Sequence, residues 1–160
     1  MNLDLTPEQE LVRDTVREFA LDRVAPVAEE LDRESRFPYE LVAELGELGL
    51  MGLPIPEEYG GSGGDTFSYA LAIEELTRID SSVAITVAAH TSLGTMPICL
   101  FGSEEQKREW LPDLASGKRL AAFGLTEAGA GSDAGATRTT AELRGGNWVV
   151  DGSKMFITNA

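Results

Sequence analysis

The chain has 160 residues, 42% of them hydrophobic and 25% charged, a balance that fills a core and argues against disorder. Its 27 acidic and 13 basic residues give a formal charge of -14 with no basic cluster, which argues against a nucleic-acid surface. The single cysteine, Cys99, leaves no intrachain disulfide to form and fits a reducing compartment, the cytoplasm or a mitochondrial matrix.

Met1-Asn2-Leu3-Asp4 lacks the basic and apolar succession of a secretion signal. Thr6-Pro7-Glu8-Gln9 is a capping box with proline at the first helical position. Leu11, Val12, Val16, Phe19, Ala20, Val24 and Val27 continue with helical period, and Pro26 is expected to kink or restart the helix. A second helix begins near Pro38, with Leu41, Val42, Leu45 and Leu48 on one face and Gly49 as its stop. The turn-rich loop Pro54 to Gly64 follows, and Asp65 is placed to cap a third helix carrying Glu74 and Arg78 four apart.

From Ser81 to Ser103 there is no formal charge, a length that could span a bilayer. Thr86, His90, Thr91, Ser92, Gly94, Thr95 and Pro97 make it too polar for hydrocarbon, so no membrane span is expected. A helix buried on all sides is expected instead. Ser103-Glu104-Glu105-Gln106 is a further capping box, opening a helix that ends before Gly117. Beyond Lys118 the period changes. Leu120–Leu125, Thr137–Leu143, Trp148–Asp151 and Met155–Thr158 read as short strands, with turn signals at Gly145-Gly146 and Asp151-Gly152. The expected class is α+β: an all-α helical bundle domain over 1–118, then the beginning of a β-barrel-like domain over 119–160. So few strands cannot close a sheet with its own core, and the β part reads as cut off.

The informative stretch runs from Phe123 to Gly135. Glycines at 129, 131 and 135 let backbone N–H groups approach a ligand, and Thr126 and Ser132 add hydroxyls. Two phosphate motifs fail here. The dinucleotide fingerprint meets Ala134 where its third glycine belongs, and the Walker loop meets Arg119 after Gly117-Lys118. On glycine content alone, a connection chosen for turn geometry is the better reading.

The order of residues changes that. Gly124-Leu125-Thr126-Glu127 followed by Gly129 to Asp133 resembles the first signature of the acyl-CoA dehydrogenase family, and Asp151 to Asn159 resembles its second block. Glu57 to Gly61, Glu74-Glu75-Leu76, Thr91 to Gly94 and Phe101 to Lys107 are similar to that family's N-terminal domain, so the resemblance is colinear over the whole chain.

The resemblance implies FAD as cofactor, with Phe123 to Ser132 lying along it. Leu125 backbone and the Thr126 hydroxyl would bond the pyrimidine side of the flavin, and Gly131 and Ser132 would lie near the phosphates. Ser132 would also touch CoA, while Phe156, Ile157 and Thr158 would form the second flavin block. The same resemblance borders the acyl cavity with the helix carrying Thr86, Ala89, His90 and Leu93, a stripe at i, i+3, i+4 and i+7. As the lone histidine, His90 reads better as a packed, hydrogen-bonded helix residue than as a catalyst. Cys99 reads as core, and Glu127 and Asp133 as local ties on backbone N–H groups.

The implied activity is α,β-dehydrogenation of acyl-CoA thioesters, with electrons passed to an electron-transfer flavoprotein and assembly as a homo-oligomer, a dimer or homotetramer. The family's glutamate base lies in a C-terminal helical domain that the sequence does not reach, so no catalytic residue is expected among residues 1–160. An acyl-CoA oxidase type of flavoenzyme and a non-catalytic helical binding or assembly module are the alternatives.

Overall fold

The computed structural model describes residues 4–160; the N-terminal reading at Met1 to Leu3 lies outside the described residues. Seven helical segments come first. They are α1 (Pro7–Phe19), α2 (Ala25–Glu34), α3 (Tyr39–Glu47), α4 (Thr66–Thr77), α5 (Ser81–Ala88), α6 (Met96–Phe101) and α7 (Glu104–Ala115). A hairpin of β1 (Thr140–Arg144) and β2 (Asn147–Asp151) closes the described elements, with Thr140 opposite Asp151 and Arg144 opposite Asn147.

The helix ends follow local chemistry. Thr6 and Ser103 each accept from the backbone three residues on, while Gln9 and Gln106 reach back to complete both boxes. Asp65 caps α4 by accepting from Ser68 N–H at 2.6 Å. Gly49 takes φ 74° just beyond α3, a left-handed turn that a side chain would resist.

Two wide turns join helices end to end. Residues Ala20–Val24 link α1 to α2, and Ala89–Thr95 link α5 to α6. In each, the last N–H reaches five residues back: Ala25 to Ala20 O and Met96 to Thr91 O. Pro26 and Pro97 follow immediately. A proline has no N–H to give and its ring crowds the carbonyl four residues earlier. Loosening one turn upstream relieves both problems without breaking the rod. Pro26 therefore restarts the helix, as expected.

The core gathers Val16, Phe19, Ala20 and Val24 with Leu41, Val42 and Leu45, Leu50 and Met51, Ala72 and Leu76, and Val83, Ala84 and Val87. A smaller cluster of Ile55, Tyr59, Leu111 and Ala115 takes in Cys99 at its edge. Helix α1 lies against α4, fastened by Arg17, which donates to the buried Glu75 carboxylate at 2.8 and 3.0 Å. Those bonds hold the Glu75 pKa below the usual carboxylate range.

Some expectations need correction. Leu11 and Leu48 are exposed, and Leu48 falls at the helix end, where the chain has already left the rod. The helix Ser81–Phe101 is long and apolar enough, by length and composition alone, to cross a membrane. It is not buried on all sides: Ile85, Leu93, Leu100 and Phe101 face outward while its opposite side fills the core. Leu120–Leu125 and Met155–Thr158 form no strands, and Thr137–Thr139 stay outside β1. Apolar content made them strand-like, but a strand exists only through a ladder partner, and none pairs with them among the described residues.

Candidate functional site

After α7 the chain crosses the helix Ser81–Phe101 and is pinned there. Ala121 N–H donates to His90 Nδ1 at 2.9 Å, so the proton sits on Nε2, which donates to Leu114 O at 3.0 Å. Gly94 lets this crossing come close, because a Cβ there would collide with Ala121. Farther along, Asn159 Nδ2 donates to Thr86 O at 2.9 Å and to Ala121 O at 3.3 Å. Its Oδ1 is buried without a partner among the described residues.

His90 has no exposed surface, and burial pushes its imidazole below the ordinary pKa. Neutral and bonded at both nitrogens, it pins the crossing segment to the helix. The expected stripe holds only in part. Thr86, Ala89 and His90 are buried, but Leu93 is 49% exposed. The wide turn begins at Ala89 and rotates Leu93 out of phase with the other three. His90 thus spends both ring nitrogens on contacts within the chain.

The two sequence blocks meet at Glu127. Its carboxylate accepts from Arg138 N–H at 2.7 Å, Thr139 N–H at 3.0 Å, the Thr139 hydroxyl at 2.6 Å and Lys154 Nζ at 2.9 Å. These bonds, the Thr139 hydroxyl first, hold its pKa far below the usual carboxylate range. Lys154 Nζ also donates to Leu125 O at 3.0 Å, and Met155 N–H to Thr126 O at 2.8 Å. Glu127 is thus the local tie expected of it. From Asp133 the structure shows only the backbone carbonyl, accepting from Ala136 N–H.

Around this knot the chain turns its remaining groups outward. Phe123, Leu125 and Phe156 are exposed, Phe156 by 87%. Thr126 and Ile157 are half-buried, and Gly131, Ser132 and Thr158 are exposed. The N–H groups of Leu125, Thr126, Gly131 and Ser132, and the hydroxyls of Thr126, Ser132 and Thr158, have no partner among the described residues. Phe156 holds φ 56°, left-handed backbone that an aromatic residue rarely adopts and that costs about 1–3 kcal/mol. Strain of that kind needs neighbours to enforce it; here the Met155 and Asn159 bonds flank it.

Sequence reasoning passed over Lys154, Ala121 and Asn159. Lys154 carried a signal, being the lone cation in the two blocks. Nothing local marked Ala121 or Asn159, whose partners lie 31 to 73 residues away.

The architecture is a helical domain followed by the start of a β domain, with a donor-rich, open loop at the junction. Residues 6–118 match the family described as acyl-CoA dehydrogenase, N-terminal domain, and residues 122–160 match its middle domain. The chain belongs to the acyl-CoA dehydrogenase family. It is 53% identical to a probable acyl-CoA dehydrogenase, YngJ, of Bacillus subtilis over all 160 residues, which cover 42% of that protein. Butyryl-CoA dehydrogenase from Megasphaera elsdenii superposes with a TM-score of 0.93 at 42% identity, covering 98% of this chain and 42% of that one. An acyl-CoA dehydrogenase complexed with FAD from Bacillus anthracis gives 0.92 at 44% identity, over 98% of this chain and 27% of that one. The chain spans about two fifths of the length of the curated relatives it matches.

Proposed function

We propose that this chain supplies the flavin-facing part of an FAD-dependent dehydrogenase that converts acyl-CoA thioesters to trans-2-enoyl-CoA. One observation carries the reading: unspent donors at Leu125, Thr126, Gly131 and Ser132 stand beside exposed Phe123, Leu125 and Phe156. That donor set fits FAD, whose ring has a polar edge and apolar faces and whose pyrophosphate takes backbone N–H groups.

The N–H groups of Leu125 and Thr126 and the Thr126 hydroxyl would hold the pyrimidine edge, and Gly131 and Ser132 the phosphates. Ser132 would also reach CoA, while Phe156, Ile157 and Thr158 would cover the ring. When bound, FAD supplies the acceptor for the β-hydride. Residues 1–160 contribute binding, orientation and exclusion of water; the α-proton is taken by a base outside them. Leu93 would present surface to the acyl chain, with Thr86, Ala89 and His90 supporting it from behind. The name of the Megasphaera relative favours a short acyl chain. An electron-transfer flavoprotein as acceptor, a homo-oligomer such as a dimer or tetramer, and a reducing compartment, cytoplasm or mitochondrial matrix, complete the proposal.

The test uses the protein expressed from its full reading frame. Anaerobic addition of straight and branched acyl-CoA esters should bleach the yellow flavin band, most strongly with short chains. Purified protein without flavin absorbance, or a band that no acyl-CoA bleaches, would defeat the reading. Leu93→Ala should move the preference toward longer or bulkier acyl groups, whereas His90→Gly should lower stability without reordering the panel.

A further inference from the structure

The Glu127–Lys154 pair does more than its ion-pair geometry requires. Lys154 sends one ammonium both to the Glu127 carboxylate, at 2.9 Å, and to the Leu125 carbonyl, at 3.0 Å. The Leu125 carbonyl belongs to the same peptide unit as Thr126 N–H, which has no partner among the described residues. A cation on the carbonyl end polarises that peptide and makes its N–H a stronger donor. Meanwhile Glu127 is itself held by Arg138 and Thr139, so the ammonium is fixed from a third segment of chain. The Glu127 side chain is 9% exposed and that of Lys154 26%, so solvent screens the pair only in part.

We infer that Lys154 is a positioning residue, with Glu127 as its counter-charge, that locks the two ligand-facing blocks together and sets how strongly the Leu125–Thr126 peptide favours electron uptake by the bound flavin. The inference rests on the FAD reading above. A cation behind the donating peptide favours the more negative form of the ligand, and a nearby carboxylate opposes it. Removing each partner therefore has opposite effects. Packing alone would make the two losses alike.

The experiment measures the flavin midpoint potential and the FAD dissociation constant in the protein from its full reading frame, for wild type, Lys154→Met, Lys154→Arg and Glu127→Gln. Lys154→Met should favour oxidised over reduced flavin by roughly tenfold, a drop of about 30 mV for a two-electron couple. Glu127→Gln should move the potential upward, and Lys154→Arg should stay near wild type. Should Lys154→Met fail to retain FAD, retention by Lys154→Arg supports the charge role, and loss in both variants refutes it. Potentials that shift in the same direction in Lys154→Met and Glu127→Gln, or do not move in either, also refute it. A wild-type protein that takes up no FAD would sink the flavin reading and the clamp with it; a wild type that binds FAD with unresponsive variants sinks the clamp alone.

Discussion

The helical part and the segment after Lys118 treat their polar and apolar groups in opposite ways. From Pro7 to Ala115 most of the backbone bonds within its own helices or the tight turns between them, and the large apolar residues from Val16 to Leu114 mostly turn inward. From Phe123 onward the hairpin is exposed at every strand position, with Leu143, Trp148 and Val150 each more than 60% open. A helix satisfies its backbone locally, whereas a strand is half of a bond shared with something else. The first region encloses a core of its own, and the second encloses none among the described residues.

Substitutions on either side put that contrast to the test. Leu45→Ala, in the centre of the helical core, should destabilise by about 2–5 kcal/mol in chemical denaturation followed through Trp110. His90→Ala should cost about 2–3 kcal/mol, because it strands Leu114 O and Ala121 N–H and frees the crossing strand of chain. Glu75→Gln should cost about 1–2 kcal/mol, less than a fully buried pair since Arg17 is half exposed. Trp148→Ser should change the stability of residues 1–160 by less than about 0.5 kcal/mol, since the ring is 68% exposed there. Hydrogen exchange should show the same order, with amides of 83–91 slow and those of 140–151 fast; equal protection in the two would remove the contrast.

pH acts on both ends of the scale. His90 has a folded pKa below its unfolded value, so the unfolded chain binds the proton more readily. Stability should fall as pH drops below about 6.5, the ordinary histidine value. Glu75 works in the carboxylate range: its pair is fully effective above the unfolded pKa and is lost as pH falls through the lowered folded value. In His90→Gln the first decline should vanish and the second remain.

What could be read from sequence was what is decided within a few residues. Capping boxes at Thr6 and Ser103, the Asp65 cap and the Gly49 stop depend on neighbours three or four positions away, and all form. The Glu127 tie was anticipated, but its partners at 138, 139 and 154 were not, since loop closure decides them. The exposure of Leu93 was hidden for another reason. A count of 3.6 residues per turn assumes an unbroken α-helix, and one extra residue in a turn leaves no mark on composition. Pro97 hinted at it, yet a proline signals that something must yield without saying where.

The wide turn at Ala89–Thr95 acts like a gear tooth inserted into a shaft. Everything from Met96 onward is advanced by one residue, about 100° around the axis, relative to a plain continuation of α5. Deleting one residue there would restore an ordinary helix and swing Ile98 and Cys99 off the cluster formed by Ile55, Tyr59 and Leu111. Residue count in this segment is therefore constrained alongside the identity of His90.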